Sequence, residues 1–307
     1  MKLKKTLALT LCAIALLALS ACGGKTENTL QMHDGTYSEE QLVTYMVKLI
    51  VEEHTDLKVN IKDQMTAVNA FKEMTSQSPS VDILNCYDGT LLTTFLYLDP
   101  TDVPEGTTLY DYANSVAMER HSVRMLGKLG TDNTYAIAVP QAIAEKYSLK
   151  TVSDLVPIAG ELVFGAEHGF FTQEGSMKFG PFTEFYGLNF KDSKSVDIGL
   201  KYIGMENGSF DVTEVYATDG LNRKANLVIL DDDKEFFPEY NGAILVRDAI
   251  FEDYKTVAPN LEEVINMLSG RFTNETMTDL TYAVDVEGKT VKDVATQFLV
   301  SEGLIAG

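Results

Sequence analysis

The chain has no tryptophan and only three cysteines in 307 residues. Cys12 and Cys22 lie near the N-terminus, so Cys86 is left without a partner for an internal disulfide and reads as a small buried apolar side chain. Basic residues are few, 25 against 45 acidic ones, for a formal charge of −20. Such a surface repels phosphate backbones, which excludes nucleic acid as a partner. The four histidines, His33, His54, His121 and His168, are dispersed with no metal-ligand spacing, and no metal or other cofactor is expected. Three short motifs also lack their context. Glu174-Gly175-Ser176-Met177 has no closing glycine for a nucleophile elbow, Gly24-Lys25-Thr26 follows no glycine-rich loop, and Asp231-Asp232-Asp233 lacks the spacing and later Glu of a calcium loop. With no catalytic constellation, the chain is read as no enzyme.

What is present begins with an address. Lys2, Lys4 and Lys5 precede an apolar run from Leu7 to Leu19 that is too short to span a bilayer and is flanked as a secretory signal is. It closes on Leu19-Ser20-Ala21-Cys22, followed by Gly23 and Gly24, which resembles the bacterial lipobox. The resemblance implies a signal peptide over 1–21 and a lipidated tether over 22–29. Cys22 would carry the lipid and hold the protein at the extracytoplasmic face of the cell membrane.

From Leu30 onward the pattern alternates. Leu30-Gln31-Met32 reads as a strand, and Ser38-Glu39-Glu40-Gln41 as a capping box opening a helix with Leu42, Tyr45, Met46, Leu49 and Ile50 on one stripe. A strand over 57–61, a helix over 64–74 and a strand from Val81 to Tyr87 follow. That order predicts a parallel sheet covered by helices, with ligands beyond the carboxyl ends of its strands. The polar turn Asp132-Asn133-Thr134 then runs into Tyr135-Ala136-Ile137-Ala138-Val139, a buried strand with a ring at its mouth. A second α/β set follows, with helices over 141–147 and 196–206 and strands over 161–164 and near Val212 and Leu227. Ala243-Ile244-Leu245-Val246 and helices over 261–268, 274–280 and 291–299 return to the first set. The expected architecture is therefore α/β with two lobes and two crossings, lobe one over 30–133 and 241–307 and lobe two over 134–240, closing as a hinge. Tyr87, Tyr135, Tyr216 and Tyr240 all stand at chain reversals, so four rings could converge on one cleft.

Several runs carry a family likeness. Ala144-Glu145-Lys146-Tyr147, Thr151-Val152-Ser153-Asp154-Leu155, Asp197-Ile198-Gly199-Leu200-Lys201-Tyr202, Tyr216-Ala217-Thr218-Asp219-Gly220 and Val284-Asp285-Val286-Glu287-Gly288-Lys289 resemble the substrate-binding lipoproteins of osmoprotectant ABC importers. Those proteins take up glycine betaine, carnitine, choline and related quaternary amines. The resemblance, from about Leu30 to Ile305, implies the type II periplasmic-binding-protein fold, a monomer, and an ABC permease as membrane partner. It places Tyr87, Tyr135, Tyr216 and Tyr240 on the family's aromatic cage for an ammonium head, which cannot donate a hydrogen bond and so prefers ring faces.

The departures from the family pattern concern charge. The Lys or Gln and the Arg that hold a betaine carboxylate fall on Gly35 and Gln173, the cage motif Tyr-Thr-Gly-Thr reads Tyr87-Asp88-Gly89-Thr90, and Asn-Asn-Thr-Tyr reads Asp132-Asn133-Thr134-Tyr135. All four changes favour negative charge. The expected ligand is choline or another quaternary amine without a carboxylate, with Thr90, Asn133 and Gln173 available to its hydroxyl and Asp88 as counter-charge. The alternatives are a betaine or carnitine binder, or a ligand-sensing module on the same scaffold.

Overall fold

The computed structural model describes residues 28–172 and 177–307. Its strands fall into two groups. In the first, β1 (Thr29–His33) and β2 (Lys58–Lys62) pair in parallel, while β3 (Ile83–Tyr87) and β4 (Val123–Asp132) flank β10 (Asn241–Arg247) in an antiparallel sheet. The single parallel sheet expected of this region is thus divided. At the seam Asp82 N donates to Gln31 O at 2.8 Å while the Asp82 carboxylate accepts from Gln31 N at 2.8 Å, so a single backbone bond joins the two sheets there. In the second group β7 (Asp192–Val196), β6 (Val163–Glu167), β8 (Val212–Tyr216), β5 (Tyr135–Pro140) and β9 (Leu227–Leu230) lie side by side in that order, with β5 antiparallel to both neighbours.

Alternation along the strands supplies a core on each face. On β10, Ile244 and Val246 join one cluster while Ala243 and Leu245 join the other. On β5, Ile137 and Val139 pack into a phenylalanine-rich cluster with Phe164, Phe170 and Phe182, and Ala136 and Ala138 face Val215. The helix α1 (Ser38–His54) buries Leu42, Val43, Met46, Val47, Ile50 and Val51 completely, each side chain worth roughly 1.5–3 kcal/mol. Its start differs from the expected capping box. Tyr37 is the N-cap and makes no side-chain cap; Ser38 Oγ instead donates to Asp285 at 2.6 Å, and Glu39 turns inward. Tertiary partners outweigh the local ones here.

Helices α2 (Ala67–Met74), α3 (Leu109–His121), α4 (Gln141–Tyr147), α5 (Ile198–Glu206), α6 (Asn274–Asp285) and α7 (Val291–Ser301) cover the strands. α6 runs five residues past the expected end at 280. The pattern reading assigns nothing between Tyr87 and Asp132, where α3 and β4 lie, and misses β7.

Candidate functional site

The register of β5 against β8 sets Tyr135 directly opposite Tyr216, and the two rings lie 5.3 Å apart, tilted by 41°. The other two rings come from the first strand group. Tyr87 ends β3, Tyr240 immediately precedes β10, and their rings stack at 5.4 Å. Gly89 makes this stack possible, because a Cβ there would sit 2.1 Å from Cε2 of Tyr240. The Thr90 hydroxyl and the Tyr240 hydroxyl are 2.6 Å apart. Asp132 Oδ1 accepts from Tyr240 N at 2.7 Å and Asn133 N donates to Tyr240 O at 3.1 Å, so the crossing that leads into Tyr135 also holds Tyr240.

One buried carboxylate ties the two groups together. Glu39 accepts from Tyr87 OH at 2.7 Å, from Thr218 Oγ1 at 2.5 Å and from Asn133 Nδ2 at 3.4 Å. Burial raises its pKa, and the Thr218 and Tyr87 hydrogen bonds oppose that shift. On the far side Lys201, fully buried, reaches Glu167 at 2.8 Å and Glu214 at 3.4 Å and stands 5.3 Å from the Tyr216 ring centre. Tyr216 OH donates to Glu167 at 3.3 Å. Lys178 Nζ lies 5.3 Å over the ring of Tyr135. Glu39, Glu167, Glu214 and Asp88 stand among three cations, Lys201, Lys178 and, acting on Asp88, Lys128.

The sequence-selected residues meet different fates. The four tyrosines form two pairs, Tyr87 with Tyr240 and Tyr135 with Tyr216, and Thr90 bonds to Tyr240. Asp88 is buried, and its oxygens accept from Gly89 N at 2.7 Å and from Asn241 N and Nδ2 at 2.9 and 2.8 Å, so its direct bonds fix the start of β10. Burial pushes its carboxyl up to about 6 against those hydrogen bonds. The Asn133 amide is engaged at both ends, by Glu39 and by Thr218 N at 3.4 Å. Gln173 and Cys22 lie outside the described residues. Pattern reading missed Glu39, Glu167, Lys178, Lys201, Glu214 and Thr218. One signal was available, since Glu214 sits in the otherwise uncharged strand Val212-Thr213-Glu214-Val215-Tyr216, and a charge there must find a buried partner.

Two strand groups joined by two crossings define a periplasmic-binding-protein fold. A solved structure described as a glycine betaine/carnitine/choline ABC transporter shares it, with a TM-score of 0.80 and 27% identity over 90% of this chain and 99% of that one. Residues 28–301 match the family model described as the substrate binding domain of ABC-type glycine betaine transport systems, and the chain belongs to that family. It is 31% identical over 297 residues to the carnitine transport binding protein OpuCC of Listeria monocytogenes, covering 95% of this chain and 94% of that protein. It is also 35% identical over 179 residues to the ergothioneine transport permease/ergothioneine binding protein EgtU of Helicobacter pylori, covering 58% of this chain and 31% of that protein. The protein is therefore an extracytoplasmic solute-binding component that works with a membrane permease, and it is not an enzyme. No helix among the described residues is long and apolar enough to cross a membrane.

Proposed function

We propose that the chain captures a quaternary ammonium compound without a carboxylate, choline first among them, against the rings of Tyr87, Tyr135, Tyr216 and Tyr240. Tethered through a lipid on Cys22, it would hand this cation to an ABC permease. The observation that carries the reading is two tyrosine pairs, one on each strand group, tied to each other through Glu39, Asn133 and Thr218 where four carboxylates stand among three lysines. The rings of each pair lie too close to admit a cation between them, so the ammonium belongs between the pairs. Each ring contributes about 0.5–2 kcal/mol, and micromolar capture requires roughly −8 kcal/mol after ordering costs. The names of the relatives support the ammonium half of this reading, since carnitine and ergothioneine both bear a trimethylammonium group, but both also bear a carboxylate.

One observation favours a carboxylate-bearing ligand instead. Lys178 stands over Tyr135 and offers a cation that a betaine carboxylate would seek. Calorimetric titration of the chain starting after Cys22 with choline and glycine betaine, on the wild type and on Lys178→Met, separates the two readings. The choline reading expects micromolar choline, weaker betaine, and choline tightened or unchanged in Lys178→Met, because a competing ammonium has left the ring. Betaine tighter than choline, and lost with Lys178, selects the rival. Silence from both ligands overturns the cage itself.

A further inference from the structure

In the first strand group, sharing a wall with the rings, lies a cavity of about 230 Å³. Tyr87 and Thr90 belong to both compartments; Glu40, Thr66 and Asn85 give the cavity a polar side, and Ala67, Cys86 and Phe95 an apolar one. The position is where the chain leaves the carboxyl ends of β1 and β3, the edge at which α/β sheets lodge ligands. Its volume is several times the roughly 30 Å³ that a water occupies.

The polar side of the wall is specific. Asn85 is 4% exposed, and neither its Oδ1 nor its Nδ2 has a hydrogen-bond partner among the described residues. A buried amide left unpaired at both ends is costly, so its presence calls for an occupant. Glu40 presents a buried carboxylate held in place by Thr36 N at 2.9 Å. No lysine or arginine lines the cavity among the described residues.

We propose that this cavity is a second compartment of the ligand site, receiving the far end of a quaternary ammonium ligand, and that this far end is a neutral group bearing N–H donors, such as a carboxamide. The inference rests on the reading of the four rings as an ammonium cage. A carboxamide matches Asn85 edge to edge, giving one N–H and accepting another, and its second N–H is free for Glu40. A carboxylate in the same place would meet the Glu40 charge with no cation to offset it. Choline would fill the cage and leave Asn85 unpaired.

Carnitine and carnitinamide differ only in carboxylate against carboxamide, which makes them the probes. Calorimetric titration of the chain after Cys22 with choline, carnitine and carnitinamide is run on the wild type, Asn85→Leu and Glu40→Gln, each checked by thermal melt. Carnitinamide is expected to bind at least tenfold tighter than carnitine and tighter than choline. Asn85→Leu should weaken carnitinamide more than choline, and Glu40→Gln should narrow the ratio of carnitinamide to carnitine. Choline binding with no gain for carnitinamide would mean a compartment that holds only water and overturns the proposal. So would a gain that survives Asn85→Leu in a variant that still folds. If none of the three compounds binds, the ring reading fails and takes this one with it.

Discussion

Gly89 decides where the ring of Tyr240 can lie, because the Cβ of any other residue would stand 2.1 Å from that ring. Gly89→Ala should therefore push Tyr240 off Tyr87 and weaken quaternary ammonium binding by roughly 2- to 30-fold, the worth of one ring. Titration alongside a thermal melt reads this; unchanged affinity with a folded chain would remove Tyr240 from the cage. The neighbouring Asp88 is a residue-scale problem of stability. Burial holds its folded pKa at about 6, above the unfolded value of 3.8. The folded state then keeps a proton that the unfolded state has released, so stability falls as pH rises from about 4 to about 6 and stays lower above that. The loss is on the order of 3 kcal/mol. Asp88→Asn keeps an acceptor for Asn241 N but cannot ionise, so its melting temperature should change less than that of the wild type between pH 4 and 6.

At the scale of elements, β8 and α5 are joined by a buried charge group. Lys201 on α5 meets Glu167 at the end of β6 and Glu214 in the middle of β8, and Glu214 is 0% exposed. Burial, and next among the raising causes the charge of Glu167, lift the Glu214 carboxyl, while Lys201 pulls it down. Lys201→Met would leave two carboxylates without their cation and should cost about 3–5 kcal/mol in denaturant unfolding. Adding Glu214→Gln to it should recover part of that loss, and a single variant as stable as the wild type would show the cation to be dispensable. The same elements show what a sequence discloses. β5, β8 and β10 are legible because their apolar runs are bounded by polar turns, and the four tyrosines are legible because they stand at those boundaries. β4 is not. Arg124 leaves it for Asp248 and Glu262, and two register shifts against β10 break the period of two. β7 escapes because it buries none of its side chains fully. Glu39 escapes for another reason, since its role depends on Thr218, 179 residues further along, while its immediate neighbours suggest only a helix cap.

At the scale of the molecule, the junction is tied by more than Glu39. Thr281 on α6 donates to Thr218 O at 3.1 Å, and Arg223 pairs with Asp279, so the segment after β8 is docked on a helix of the first strand group. Around that junction lies a strongly acidic protein, with 45 acidic against 25 basic residues. Its field attracts any cation that approaches but acts in opposite directions on the two ends of a zwitterion. Salt shortens its reach, from about 30 Å at 0.01 M to about 3 Å at 1 M. Choline affinity should accordingly fall several-fold when sodium chloride is raised from about 10 mM to about 500 mM, whereas glycine betaine, with no net charge, should lose little. Titrating both ligands at the two salt levels separates the field of the whole chain from the contacts of the cage. A choline affinity indifferent to salt would place the selection entirely in the rings and in the few carboxylates beside them, where burial shields charge from screening.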